Sequence, residues 1–323
     1  MQRILVTGAA GQIGSELVPE LRRRYGNENV IAAGHHTPLP SDIRQSGPCT
    51  ILDISDYEQV DRVIKDNRVD TIYHLSSLLS ALAEQRRQAA YRVNIQGLYN
   101  ILEAAVNSGL ERVIVPSSIA AFGPDPPANR TPNETIQKPN TLYGISKVFG
   151  ELMGNYYFHQ LGCDVRGVRL PGIVSWKTEP TAGTTDYAVA IFYGAIRQRR
   201  YTCYLKADTF LPMMYMPDAI LALIQVAEAD KDRLHHHADF NVNAMSFTPS
   251  NLAAAIQSRI PEFRIDYRID PLRQAIADSW PNSLDDSAAR AEWGWRPNFD
   301  LDAMVDDMLE NLSRKLTPPE GSG

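Results

Sequence analysis

Tyr143 and Lys147 lie four residues apart in the run Tyr143-Gly144-Ile145-Ser146-Lys147. On a helix that spacing puts a phenol and an ammonium on one face, one turn apart. A phenol with a pKa of about 10 is a poor base at neutral pH. A nearby cation favours the phenolate and lowers that pKa, so the pair reads as a proton acceptor with its activator. Taken alone, the pattern is common on surface helices. It gains meaning from Ser118, which follows the apolar run Val113–Pro116. Its hydroxyl either orients a substrate hydroxyl and steadies a developing carbonyl oxygen, or caps the next turn. Ser117 is less well placed and takes a supporting role.

A second chemistry-bearing run opens the chain. Gly8-Ala9-Ala10-Gly11-Gln12-Ile13-Gly14 follows the apolar stretch Arg3–Thr7 and leads into an amphipathic stretch, Gln12–Tyr25. Glycines between a strand and a helix permit a tight turn and let backbone approach a pyrophosphate. The helix N-terminus then offers free N–H groups to the phosphates. Gly8, Gly11, Gln12 and Ile13 are therefore dinucleotide-binding candidates. An acid near the end of the second strand would bind the ribose 2′-hydroxyl. That stretch reads Ala32-Ala33-Gly34-His35-His36, with no carboxylate until Asp42, so these residues do not decide between NAD and NADP. His35 or His36 meets the ribose or a 2′-phosphate, or both are solvated. Asp53 meets the adenine, or caps a helix over Ser55–Asn67.

These groups need a scaffold that brings them together. Arg3–Thr7, Val30–Ala33, Thr50–Leu52, Thr71–Leu75, Val113–Pro116 and Val165–Leu170 read as strands without polar alternation. Such runs suit a parallel sheet buried on both faces. Helical stretches lie between them, at Tyr57–Asn67, Ala89–Ser108 and Leu142–Leu161. The pattern predicts an α/β, doubly wound fold with its crevice beyond the strand C-termini. After Gly172 the rhythm weakens: Ser175–Thr185 reads as a loop and Tyr187–Arg197 as a helix. Strand-like pieces follow at Thr202–Leu205, Met213–Met216, Phe240–Asn243 and Phe263–Tyr267. The expected division is a dinucleotide-binding domain over 1–172, with a return segment near 213–243, and a smaller substrate domain over 173–323. Pro318–Gly323 reads as a loose tail.

The 323 residues carry 32 Lys+Arg and 38 Asp+Glu, a net charge of −6. A pI near 5.7 lacks the basic footprint of nucleic-acid binding. No apolar run is long enough to span a membrane. Three scattered cysteines make neither a disulfide framework nor a metal site, and the expected compartment is the cytoplasm. His235-His236-His237 reads as a solvated loop rather than metal ligands, and Arg197–Arg200 as a helix cap. Trp280, Trp293 and Trp295 read as packing anchors, with Trp280 a candidate border of the substrate pocket.

The glycine spacing, Asp53, Asn94, Ser118, the Tyr143/Lys147 pair and Arg169-Leu170-Pro171-Gly172 together resemble the extended short-chain dehydrogenase/reductase family. The resemblance runs from Arg3 to about Leu312 and implies a Rossmann sheet. Within that family, His74–Ala81, Val115–Gly123, Gly183–Ala188, Leu211–Asp218 and Ser279–Trp295 are similar to the short-chain type of L-threonine 3-dehydrogenases. The resemblance implies oxidation of the threonine C3 hydroxyl to 2-amino-3-ketobutyrate, with NAD as hydride acceptor and Tyr143 as base. It implies cofactor contacts from Ile54, Leu75, Ser76 and Pro171 besides those above, with Lys147 reaching the ribose. It also implies that Ser80, Thr184 and Thr185 grip the amino acid, and that the helices near Ala89–Ser108 and Leu142–Leu161 pair in a homodimer. Two rivals remain: a nucleotide-sugar epimerase or dehydratase, and a catalytically silent dinucleotide-binding regulator. Sugar dehydratases of the family carry an acidic pair where this chain has Ile119-Ala120.

Overall fold

Arg3 and Gln2 are pinned by Asp70, whose carboxylate accepts both backbone N–H groups at 2.9 and 2.6 Å, and the apolar run beyond them extends as a strand. A computed structural model describes residues 1–181 and 183–317. Pro318–Gly323, and Ala182 within the expected loop, lie outside the described residues. The strands are β1 (Ile4–Thr7), β2 (Val30–Gly34), β3 (Cys49–Ile51), β4 (Thr71–His74), β5 (Arg112–Ile114), β6 (Ser117–Ser118), β7 (Val165–Arg166), β8 (Val168–Leu170) and β9 (Gly172–Val174). After these come β10 (Arg200–Cys203), β11 (Leu211–Tyr215), β12 (Phe240–Asn241), β13 (Met245–Phe247) and β14 (Arg264–Tyr267).

The main sheet has six strands in the order β3-β2-β1-β4-β5-β7, every pair parallel. Ile4, Leu5, Val6 and Ile72 are fully buried, because helices cover both faces. Strand order reverses between β1 and β4. In open α/β sheets the ligand crevice lies at that switch, beyond the strand C-termini.

The expected sixth strand is broken in two. β7 completes the main sheet, whereas β8 lies between β6 and β12 in a separate three-stranded sheet. The break falls at Gly167, where a Cβ would stand 2.4 Å from the Val115 carbonyl oxygen and 2.7 Å from that of Ala238. Only a residue without a side chain lets the three backbones meet. The expected helix over Ala89–Ser108 is also interrupted: a π-helical stretch, Tyr91–Gly97, separates Arg87–Ala90 from Leu98–Asn107.

Two of the three large hydrophobic cores among the described residues draw heavily on the second half of the chain. In one, Ile4, Val6, Leu17 and Val30 pack with the late residues Met214–Ala227, Phe240, Val242 and Trp295. In the other, the helix Tyr187–Gln198 packs with β11, the helix Pro249–Gln257 and the helix Leu301–Leu316. The chain thus leaves the first core after β9 and returns to it with the helix Met216–Glu228.

The three histidines are not alike. His237 is buried and stacks on Phe158 with ring centroids 3.5 Å apart. His236 Nδ1 lies 2.5 Å from Glu292 Oε1. The solvated loop expected for all three is therefore wrong for these two, because the β8–β12 pairing draws the segment inward. Arg199 ends the helix Tyr187–Gln198 in a left-handed conformation and donates to the Ala195 carbonyl, as a cap does.

Candidate active site

The loop after β1 is shaped by contacts that exclude side chains. Gly8 has a φ of +67°, and a Cβ there would lie 2.8 Å from the backbone of Leu75 and Ser76. A Cβ on Gly14 would reach 2.3 Å from the Gly8 carbonyl, which presses the helix Gly14–Tyr25 onto the loop. Gly11 differs: its Cβ would meet only the Gly8 carbonyl and otherwise enter open space. That open face borders a cleft, and no side chain caps the helix N-terminus. The positive dipole end of the helix thus faces the cleft. These features fit a dinucleotide pyrophosphate.

On one side of the loop the cleft opens to a cavity of about 670 Å³. Gly8, Gly11, His35, Asp53, Ile54, Leu75 and Ser76 line it, together with Arg86 and Arg92. Asp53 does not cap the following helix. That role belongs to Asp56, which accepts from the Gln59 N–H. Asp53 instead accepts from the backbone N–H and hydroxyl of Ser55 at 2.9 and 2.7 Å. Burial pushes its carboxyl up, but the Ser55 hydrogen bonds and the imidazoles of His35 and His36 outweigh this and hold it below the usual value.

On the other side lies a cavity of about 230 Å³. Gln12, Ile13, Tyr143, Lys147, Ser118, Pro171, Ser80, Thr184 and Thr185 line it, and Trp280 borders it. The helix Leu142–Leu161 starts at Thr141, whose hydroxyl accepts the Gly144 N–H at 3.0 Å. A Cβ on Gly144 would lie 2.3 Å from the Ala120 carbonyl. This close approach sets Tyr143 against the turn that Ser118 begins. Ser118 caps that turn, accepting the Ala120 N–H at 3.2 Å, and also lines the cavity.

Lys147 Nζ sits 5.3 Å from the Tyr143 ring centroid and donates to the Pro116 carbonyl at 2.8 Å. Burial pushes Tyr143 up to about 12, against the pull of a hydrogen bond from Ser118. The lowered phenol pKa expected from the spacing is not found, because desolvation outweighs the Ser118 hydrogen bond. Burial also lowers Lys147 to about 8, with the Glu151 carboxylate opposing.

Supporting groups surround these residues, and His74 and Glu151 were not among the candidates from the sequence. His74, at the end of β4, is buried and lines the same cavity as Tyr143 and Lys147, with Nδ1 2.9 Å from the Thr7 hydroxyl. Burial first, then the Lys147 charge, lowers it to about 3, so it is a neutral imidazole. Glu151, one turn beyond Lys147, is paired with Arg169 at 2.8 Å and accepts from Ser117 and Gln137. Asn94, in the π-helical stretch, exchanges two hydrogen bonds with the Leu78 backbone and reaches Ser146 on the catalytic helix. The position of His74 at a strand end by the switch point was the available signal. Nothing local marked Glu151, whereas Asn94 was among the marks of the family resemblance.

The substrate wall is held by the turn before the helix Tyr187–Gln198. Asp186 accepts from the Thr181 N–H and hydroxyl at 2.5 and 2.6 Å. Thr184, 2% exposed, lines the cavity, and its buried hydroxyl has no partner among the described residues. A buried, unsatisfied hydroxyl beside a cavity marks where a ligand's polar group belongs.

The switch-point cleft, glycine loop and Tyr143/Lys147 pair agree with a sequence-family match. The chain belongs to the NAD dependent epimerase/dehydratase family. The family model matches residues 4–244. The chain is 47% identical over 308 residues to the mitochondrial L-threonine 3-dehydrogenase of Bos taurus, covering 95% of this chain and 82% of that protein. The solved L-threonine dehydrogenase of Clostridium difficile is 49% identical with a TM-score of 0.95, covering 98% of each chain. A monomeric L-threonine 3-dehydrogenase of metagenomic origin is 42% identical with a TM-score of 0.92, covering 97% of this chain and 99% of the other. Among the described residues of this family member, no group of three or more His, Cys, Asp or Glu is placed to hold a metal.

Proposed function

We infer that this chain oxidises the C3 hydroxyl of L-threonine to 2-amino-3-ketobutyrate, with NAD as the hydride acceptor. One observation carries the reading: the Tyr143, Lys147 and Ser118 groups share a small cavity with the Thr184 hydroxyl, which has no partner among the described residues. Relatives matching over nearly the whole chain, named as threonine dehydrogenases, support it. The sugar-dehydratase reading lacks a group to carry it, since Ile119 and Ala120 are buried apolar residues where an acidic pair would stand.

Gly8, Gly11, Asp53, Leu75 and Pro171, which line the cleft, would hold NAD, which would supply a hydride acceptor for C3. Tyr143, as phenolate, takes the C3 hydroxyl proton, and Ser118 aligns that hydroxyl by hydrogen bonding. Lys147 holds a positive charge beside the phenolate and is itself anchored on the Pro116 carbonyl. Ser80, Thr184 and Thr185 offer neutral hydroxyl donors to the substrate carboxylate, which suits a zwitterion of no net charge. Residues 1–172 with the return segment form the cofactor part, and residues 173–323 form the substrate part.

The helical face bearing Tyr91 and Tyr99 and the face bearing Ile145, Leu152 and Tyr156 leave large apolar groups exposed. We propose that they pair in a homodimer. All three cysteines are unpaired, which fits a reducing, cytoplasmic setting. No helix among the described residues is long and apolar enough to cross a membrane.

Incubating the chain with NAD and, separately, L-threonine, UDP-glucose and UDP-galactose tests the reading by absorbance of the reduced cofactor. NADH is expected with threonine alone. Absence of NADH with threonine while NAD still binds overturns the threonine assignment.

A further inference from the structure

The end of β2 faces the wide cavity and carries no acid. Its last residue, Gly34, occupies the region where a carboxylate would bind the 2′-hydroxyl of an adenosine ribose and repel a phosphate there. Beyond it, His35 and His36 are exposed and line the cavity, their ring centroids 3.8 Å apart with the planes tilted by 37°. Arg86 and Arg92 line the same cavity, both exposed. Asp53 is the only carboxylate among the lining residues. Its Oδ1 is occupied by Ser55, and its Oδ2 lies 3.9 Å from His35 Nε2. Asp42, the next acid after β2, does not line the cavity.

The wall therefore offers two imidazoles and two guanidinium groups against one partly engaged carboxylate. At about 670 Å³ the cavity is also roomy. We propose that the adenosine end of this cleft accepts a 2′-phosphorylated dinucleotide, so that NADP binds as well as NAD, with Gly34, His35 and His36 forming the phosphate seat. Gly34 leaves the space. The His35 and His36 rings supply donors, and the two arginines supply a favourable field across the cavity. The proposal rests on the dinucleotide reading of the cleft, and is independent of the substrate.

Equilibrium titration calorimetry of the full chain with NAD, NADP, 5′-AMP and adenosine 2′,5′-bisphosphate tests it without turnover. NADP is expected to bind within about tenfold of NAD, and the bisphosphate more tightly than 5′-AMP, because one charge-assisted hydrogen bond is worth roughly tenfold or more. NADP binding more than about a hundredfold weaker than NAD, the size of two such bonds missing, overturns the proposal. Two variants sharpen the test through the ratio of the two dissociation constants. Gly34→Asp is tolerable, since its φ is not in the left-handed region and its Cβ would meet the flexible Leu39 side chain at 3.1 Å. It is expected to raise the NADP/NAD ratio by about a hundredfold, through lost space and like-charge repulsion. The His35→Ala/His36→Ala double variant, at two exposed positions, is expected to raise it at least about tenfold. An unchanged ratio in both variants overturns the phosphate seat. Failure of NAD itself to bind instead sinks the dinucleotide reading of the cleft.

Discussion

At the Tyr143 end of the cleft, polar groups are withdrawn from water and fixed by named partners. Lys147 is held by Pro116, His74 by Thr7, and Glu151 by Arg169, Ser117 and Gln137. At the His35 end the groups are exposed, and His35, His36, Arg86 and Arg92 stand in solvent. The difference matters because desolvation perturbs ionisation: Tyr143 and Lys147 are shifted by burial in opposite directions, toward their neutral forms. On the proposed reading, the buried end sets reactivity, where each group must be placed and charged correctly, and the exposed end sets cofactor recognition, where substitutions are expected to change a binding ratio.

The sharpest way to break this contrast is Tyr143→Phe, which removes the base and keeps the ring. A loss of about 10²–10⁴-fold in kcat is expected, the usual worth of general base catalysis, with NAD affinity nearly intact. Retention of a tenth of the activity would refute the role of the phenol.

Lys147→Met comes next. On the proposed role of Tyr143 as base, activity should rise with pH as the phenol ionises from a value raised to about 12. It is supported only while Lys147, lowered to about 8, keeps its proton. The wild-type profile of kcat/KM is thus expected to climb on the alkaline side of neutrality and then flatten or fall as the ammonium is lost. Removing the cation disfavours the phenolate and raises the phenol pKa, so the variant's rising limb moves to higher pH. An unshifted limb would mean that the lysine does not support the base.

Thr184→Val has the smallest expected effect. The change is isosteric and deletes a buried hydroxyl that has no partner among the described residues. Folding stability should hold or rise slightly by urea denaturation, because an unsatisfied buried polar group is removed. The KM for threonine should rise by about ten- to a hundredfold, as expected for one hydrogen bond to a charged group. An unchanged KM would take Thr184 out of the substrate wall.

Much of this arrangement was legible in the residues because it is local. The glycine loop and the Tyr143/Lys147 spacing each depend on a few consecutive positions, and the main-sheet strands announced themselves as apolar runs. The break at Gly167 was not legible, since it is imposed by the Val115 and Ala238 carbonyls, distant in sequence. The burial of His237 follows from stacking on Phe158, and the π-helical stretch serves contacts of Asn94 with Leu78 and Ser146. The acidity of Tyr143 was misjudged for the same reason: spacing reveals the neighbouring cation, but not how completely the fold removes water.

The late return of the helix Met216–Glu228 to the first core has a consequence for synthesis. Ile4, Val6, Leu17 and Val30 leave the ribosome long before the residues that cover them. At about 5–20 residues per second, that apolar surface waits on the order of ten seconds or more for its cover. A nascent chain halted after β9 would carry the whole glycine loop and the catalytic helix, yet expose one side of the sheet that holds them. Such a fragment should attract chaperones and aggregate rather than bind nucleotide.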